Sequence, residues 1–381
     1  MKQKLGGLAA LAILVALATP AAAQLTPYSQ DFESLVLEDP AALANDGWRV
    51  FGNVFNADWS YAYGYGPFDA PNPGGGFSGL IPDVGQGALS LNIYSDYANF
   101  GHAIGQFIEA NVFQEQVVGA GDVGKTYEFS YDAFRGNIGG GTTALAFFKT
   151  LDPNAGFALT NFITVDMTLV PGSWTNYSLQ IAIDAGLEGQ ILQFGFLTLA
   201  TGYEGSGIYY DNINFDVAPV AVELDARPGS CPNPINRRSQ GRIPMSILGS
   251  AGFDIADLDV STLKVNGVSP VMVTIEDDAT AGLGGANSCG CAESGPDGWD
   301  DLKMKFDTQD IVATLGSGGG TYTVEVSGML LDGTEITGAD CVIVVGGGNS
   351  ASAARQGFKV DSREKANRGG RDSAIDLQRN E

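Results

Sequence analysis

Trp59, Tyr61, Tyr63 and Tyr65 occupy every second position of the stretch DWSYAYGYGPFDAPNPGGGFSG, residues 58–79. In an extended backbone that spacing turns all four rings to one face and Ser60, Ala62, Gly64 and Gly66 to the other, as a ribbon about 20 Å long. Such a surface suits sugars, because the C–H faces of a pyranose are apolar and stack on rings while its edge hydroxyls take hydrogen bonds. Asn56, Asp58 and Asp69 are the polar neighbours at hand. The plainer alternative is that these rings are the core side of a strand. Against it, the opposite face carries no solvating charge, and the Pro/Gly-rich loop that follows is typical of an exposed site.

A second group of residues suits cations. Glu276 and Asp277 in IEDD, with Asp297 and Asp301 in GPDGWDD, set carboxylates around a glycine turn as calcium loops do. The full D-x-D-x-D-G run is missing, so an EF-hand is not supported. The competing reading is an acidic loop pinned by disulfides. Cys231, Cys289, Cys291 and Cys341 all lie in the C-terminal third. C-x-C without a nearby His is poor zinc-site spacing, and an even, clustered set in an oxidising compartment reads as two disulfides. A bridge within Cys289-Gly290-Cys291 would be strained, so one of the two is expected to meet Cys231 and the other Cys341.

Catalysis has little foothold. His102 is the single histidine, which removes most general-base and Ser-His chemistry, and it reads as a structural loop residue. The sequence has no G-x-S-x-G, H-E-x-x-H or phosphate-cradling glycine motif opening a helix. The expectation is a protein that is not an enzyme. A net charge of -24, from 20 Lys and Arg against 44 Asp and Glu, argues against nucleic acid and anionic membranes as partners.

Residues 1–23 carry Lys2 and Lys4, an apolar run from Leu8 to Ala18 and the small-residue end Ala21-Ala22-Ala23, the pattern of a secretory signal peptide. The run is too short to span a bilayer, and no later segment is long and apolar enough to do so; no membrane insertion is expected. The mature chain is therefore expected to be exported, to the extracellular space or cell surface, with the periplasm also open to it. Residues 24–217 alternate in period two between Gly, Asn, Pro and Asp punctuation, as in TYEFSYDAF and ILQFGFLTL, the mark of about ten short strands in an antiparallel sandwich. APVAV (218–222) reads as a hinge. Seven further strands, near AVELDA, RIPMSIL, STLKVNG, PVMVTIE, DLKMKF, TYTVEV and CVIVVG, predict a second sandwich over 218–345. From 346 to 381 apolar residues thin out and basic ones outnumber acidic, as in a disordered tail. The fold class is all-β: a jelly-roll sandwich, a smaller immunoglobulin-like β-sandwich and a disordered basic C-terminal tail.

The opening SQDFESL (29–35), the closing YYDNINF and the central GKTYEFSYDA make the region 28–217 resemble the jelly-roll carbohydrate-binding modules of cellulose- and xylan-binding kind, within the galactose-binding-like fold. In that group the adjacent terminal strands commonly hold a structural calcium, which the resemblance places at Glu33 and Asp211, with Asp31 as a further candidate; the alternative is a turn at Asp211-Asn212 and a surface charge at Glu33. Residues 221–345, with VELDARPGSCPNPIN, GRIPMSIL and LLDGTEITGAD, resemble a small β-sandwich domain of secreted bacterial proteins with no settled activity. The resulting expectation is a secreted, non-catalytic protein whose aromatic platform binds a polysaccharide or cell-surface glycan, with calcium-stabilised sandwiches. A structural protein of the cell surface or extracellular matrix, as in a biofilm, is the alternative, and a polysaccharide-degrading enzyme the third reading.

Overall fold

The computed structural model describes residues 24–71, 77–82, 85–95, 97, 105–277, 279–281, 289 and 292–346. Residues 1–23, read as a signal segment, and His102, Cys291 and the residues beyond Gly346 lie outside them. The chain divides into two compact units: residues up to Val220 with Met329–Ile336, and Ala221–Gly328 with the residues from Thr337 on. The segment read as a hinge carries a two-residue strand, Val220–Ala221.

Twelve strands build the first unit: β1 (Tyr28–Gln30), β2 (Arg49–Phe55), β3 (Tyr61–Asp69), β4 (Ser78–Pro82), β5 (Leu89–Ile93), β6 (Phe107–Val117), β7 (Thr126–Arg135), β8 (Thr143–Asp152), β9 (Ala158–Asp166), β10 (Thr175–Ala182), β11 (Ile191–Ala200) and β12 (Ile208–Val217). They form two antiparallel sheets of a jelly-roll sandwich. Sheet A runs β10-β7-β12-β5-β4, with β1 on β12; sheet B runs β3-β2-β6-β11-β8-β9. Period-two alternation explains the packing. On β7, Tyr127, Phe129, Tyr131 and Ala133 are buried while the residues between them face out. Between the sheets Phe194 stacks on Phe215 with centroids 4.2 Å apart, and Phe196 on Tyr210 at 3.6 Å. Fully burying each such ring stabilises the fold by about 1.5–3 kcal/mol.

β12 departs from regular pairing. A bulge between Asp211 and Asn214 puts Asn212 at a left-handed φ of 46°, a conformation that asparagine tolerates better than most residues.

The second unit is also all-β. One sheet contains Leu258–Val265, Gly320–Leu330 and Glu335–Val345; the other contains Glu223–Asp225, Arg242–Leu248, Asp301–Asp307 and Met272–Glu276. Two features were not expected from sequence: Asn233–Asn236 pairs in parallel with the final strand, and Thr308–Thr314 is a short helix. Cys289 is bridged to Cys341 with a Cα–Cα distance of 4.8 Å, and Cys231 is likewise disulfide-bonded. Among the described residues no helix is long and apolar enough to cross a membrane.

Candidate functional site

The outer face of sheet B carries a groove of about 680 Å³. Its floor follows from strand parity. Because Val50 and Val54 of β2 and Ile108, Ala110 and Val112 of β6 point into the sandwich, Phe51, Asn53 and Phe55, with Glu109, Asn111, Phe113 and Glu115, point out. Cross-strand pairing sets them side by side: Phe51 opposite Asn111, Asn53 opposite Glu109, and Phe55 opposite Phe107. From β11 and β8 come Gln193, Ile191, Lys149 and Leu151, and the far wall is Phe157, Leu159 and Phe162. Phe113, Phe147 and Leu197 form a separate apolar cluster beneath, with Phe51 and Leu145 against it.

A tied polar network crosses this apolar floor. Lys149 Nζ donates to Asn111 Oδ1 at 2.6 Å and lies 3.7 Å from Glu109 Oε1. The ammonium also sits over the rings of Phe147 and Phe162, at 4.4 and 5.0 Å from their centroids. Burial holds the Lys149 pKa below the ordinary lysine value, and Glu109 opposes that shift. Glu109 Oε1 further accepts from Asn53 Nδ2 at 2.8 Å and Asn111 Nδ2 at 2.9 Å. Near one end Arg49 pairs with Glu115 at 3.2 Å, and Gln193 Nε2 donates to the same carboxylate at 3.1 Å. Flat apolar surfaces among amides and carboxylates at fixed positions suit a ligand with apolar faces and hydroxylated edges.

The four rings of the Trp59–Tyr65 ladder do not share one face. The β2–β3 pairing shifts register between Val54 and Phe55, so β3 holds an extra residue, Ala62, and the side-chain alternation flips there. Tyr61 therefore pairs with outward-facing Phe55, ring to ring at 5.9 Å, whereas Tyr63 pairs with buried Val54 and Tyr65 with Gly52. A Cβ at Gly52 would fall 2.2 Å from the Tyr65 ring, which packs against the core. Trp59, in a left-handed turn position at φ 66°, lies with its ring 4.6 Å from that of Phe107. Trp59 and Tyr61 thus extend the outer face beside Phe55 and Phe107, and Tyr63 and Tyr65 belong to the other side. Asn56 and Asp58 shape the turn: Asn56 Nδ2 donates to Ser60 Oγ at 3.0 Å, and Asp58 Oδ1 accepts from Ser60 Oγ at 2.6 Å and Ser60 N at 3.0 Å, which lowers the Asp58 pKa. Asp69 stands across from Arg49.

The carboxylates considered for calcium are spread over several local tasks. Glu33 Oε1 accepts from the amides of Ala88 at 2.7 Å and Leu89 at 3.2 Å, while Asp31 Oδ1 accepts from Glu33 N at 3.1 Å. Asp211 is buried beside the β12 bulge, accepting from Asn212 N at 2.7 Å. In the second unit Asp277 takes the amides of Asp297 and Gly298, each at 3.0 Å, while Asp297 caps Trp299 N. Buried Asp301 takes those of Gly249 and Ala279, also at 3.0 Å, and Glu276 pairs with Lys303 at 2.8 Å. Among the described residues no group of three or more His, Cys, Asp or Glu is arranged to hold a metal ion.

Sequence reasoning missed the groove residues Phe51, Phe55, Glu109, Asn111, Phe113, Lys149 and Phe162. A signal was present in RVFGNVF and FIEANVFQEQV, where rings and polar groups share the parity opposite the Val, Ile and Ala positions.

Neither a protein-family model nor a curated protein matches the chain. Solved structures similar to it include the enzymatically active domain of bacteriophage CBA120 tailspike protein 4, at 12% identity and TM-score 0.29, covering 50% of this chain and 21% of that one. The chain thus spans about a fifth of the length of that protein. The CBM22-1 xylan-binding domain of Paenibacillus barcinonensis Xyn10C is similar at 12% identity and TM-score 0.27, covering 50% of this chain and 92% of that one. The C-terminal family 22 carbohydrate-binding module of Clostridium thermocellum Xyn10B is similar at 16% identity and TM-score 0.28, covering 50% and 93%.

Proposed function

We propose that the first unit is a non-catalytic carbohydrate-binding domain of an exported protein, and that a polysaccharide lies in the groove on the outer face of sheet B. The observation that carries this reading is the composition of that groove: the rings of Phe51, Phe55, Phe157 and Phe162 around a fixed line of Asn53, Glu109, Asn111 and Lys149. Stacking would hold the sugar faces, and the amides and carboxylates would read the hydroxyl edges. Binding without cleavage is supported by the placement of the groove glutamates. Glu109 and Glu115 are six residues apart on one strand, about 20 Å at the rise of an extended chain, whereas paired glycosidase carboxyls stand about 5–9.5 Å apart. Export is supported by the signal-like residues 1–23 and by the disulfide chemistry.

Affinity electrophoresis through gels containing soluble xylan, β-glucan, mannan or galactan tests the reading. At least one glycan should retard the wild type, and Phe162→Ala should weaken that retention by about 3–10-fold, the effect expected of one lost stacking contact. Retention by no glycan, or retention unchanged in Phe162→Ala, Phe51→Ala and Glu109→Gln alike, would overturn it.

A further inference from the structure

A second row of rings lies on the other side of the same sandwich. Ala133, Tyr131 and Phe129 of β7 point into the core, so Phe134 faces out from sheet A. Its cross-strand partner is Tyr209 of β12, whose own partner on β5 is Asn92, and beyond Asn92 comes Gly79 of β4. On the other side Thr175 pairs with Ala133, which brings Trp174 beside Phe134. The Trp174 and Phe134 centroids are 5.5 Å apart, and those of Phe134 and Tyr209 are 6.2 Å apart with the planes within 12° of parallel. All three rings are half-buried and none belongs to the core cluster. Gly79 ends the row: among the described residues a Cβ there would meet nothing within 4 Å.

Two further observations point from this row to a ligand. Trp174 Nε1, a donor, and Asn92 Oδ1, an acceptor, at opposite ends of the ring row, are occluded from solvent and have no hydrogen-bond partner among the described residues, although buried polar atoms are nearly always paired. A small rotation of either half-buried side chain would gain it a bond to a ligand at the surface. One step down the strands lies a polar row: Asp132 accepts from Asn176 Nδ2 at 2.9 Å, Asn212 Nδ2 at 3.0 Å and Gln86 Nε2 at 2.6 Å. Rings flanked by amides and a carboxylate have the composition of the sheet B groove, on a face whose fixed charge here is negative and so disfavours polyanions.

We propose that Trp174, Phe134 and Tyr209, with Asn92, form a second binding face for an uncharged glycan, so that one sandwich holds two glycan segments on opposite sides. The inference takes its ligand class from the carbohydrate reading above but rests on different strands and side chains. Sugar rings stack along the three aromatic groups, and hydroxyls bond to Asn92 and the Asp132 row.

Binding isotherms of the full mature chain on insoluble cellulose, xylan, β-1,3-glucan and chitin test it, with wild type, Tyr209→Ala, Phe134→Ala and the groove variant Phe162→Ala compared, each checked for an unchanged melting profile. Trp174→Phe, which keeps a ring, serves as the conservative variant and as a spectroscopic control. Expected are a weakening of about 3–10-fold in Tyr209→Ala and in Phe134→Ala, a further loss when either is combined with Phe162→Ala, and a ligand-induced change in tryptophan emission that is reduced in Trp174→Phe, the remainder coming from Trp59 beside the groove. Wild-type affinity in Tyr209→Ala and Phe134→Ala, alongside a weakened Phe162→Ala, overturns this proposal and leaves the groove reading standing. The reverse pattern overturns the groove reading and supports this one, and a wild type that binds none of the four overturns both.

Discussion

Lys149 on β8 reaches Asn111 on β6 at 2.6 Å although β11 runs between them, and the β11 residue midway between their pairing positions is Gly195, opposite Phe113 on one side and Phe147 on the other. With no side chain at that point, the floor of the groove is open where the lysine crosses. The same glycine lets β6 and β11 approach closely: a Cβ there would lie 2.2 Å from Val112 O and 2.7 Å from Phe113 Cα. Those are backbone atoms and cannot swing aside. Gly195→Ala is expected to destabilise the first unit by about 2–3 kcal/mol, as overpacking does, and to weaken glycan retention by displacing Phe113. Urea unfolding checks the first effect, and a midpoint within error of wild type would refute it.

The Lys149–Glu109 pair gives a pH-dependent prediction. Burial depresses the Lys149 pKa in the folded state, so between that lowered value and the ordinary lysine value the unfolded chain binds more protons than the folded one, and stability rises with pH across the window. Lys149→Met removes that rise and also leaves Glu109 without its cation, though Asn53 and Asn111 still donate to it. The variant should be about 1–2 kcal/mol less stable at neutral pH, less than the roughly 3–5 kcal/mol of a fully buried broken pair because both side chains keep some exposure, and the gap should widen toward pH 10. A gap that narrows with rising pH would contradict the buried, charged lysine.

Tyr210 points the other way. It is fully buried between the sheets, stacked on Phe196, and its hydroxyl has no hydrogen-bond partner among the described residues. Burial, reinforced by Tyr131 and Tyr177, raises its pKa well above the ordinary tyrosine value. The folded chain then keeps a proton that the unfolded chain releases, so stability is intact below about pH 10 and falls as pH rises beyond it. Tyr210→Phe should be neutral to about 1 kcal/mol more stable at pH 7, since it deletes an unpaired buried hydroxyl, and should retain more stability at pH 11. Melting curves at both pH values decide it. A large loss at pH 7 would mean the hydroxyl is used.

Much of this fold was legible from alternation alone. YEFSYDAF shows its buried face in Tyr127, Phe129 and Tyr131 because β7 is exposed on one side only, and period two survives wherever that holds. The groove was harder to read. Phe51, Glu109, Lys149 and Phe162 come from four strands, β2, β6, β8 and β9, and meet only through pairing register. The ribbon of rings failed at one residue: Ala62 is a bulge, and a one-residue shift in register sends every later side chain to the opposite face. Nothing in YAYGYG marks the bulge, because it depends on how β2 pairs. The local tasks of the acidic residues were hidden for a related reason. Glu33 and Asp277 look alike as sequence, and only the fold shows backbone amides occupying both.

Asp122 shows how much one such carboxylate can carry. Completely buried, it accepts from Leu25 N at 3.0 and 3.1 Å, from Gly119 N at 2.8 Å and from the Tyr127 hydroxyl at 2.6 Å, tying the start of the described chain to the entrance of β7. All of these partners donate. Asp122→Ala strands three donors and should cost about 3–5 kcal/mol. Asp122→Asn should recover part of that loss, because with its oxygen toward Leu25 N and Gly119 N its amide nitrogen can donate to the Tyr127 hydroxyl, which accepts as well as donates but then loses its own acceptor. The Tyr127 phenol gives an independent readout: burial raises its pKa most, and Asp122 raises it further, so both variants should move its ultraviolet titration back toward the ordinary tyrosine value. Stability in Asp122→Asn no better than in Asp122→Ala would mean that the hydroxyl cannot take the accepting role, and near-wild-type stability in Asp122→Ala would mean that the carboxylate carries little.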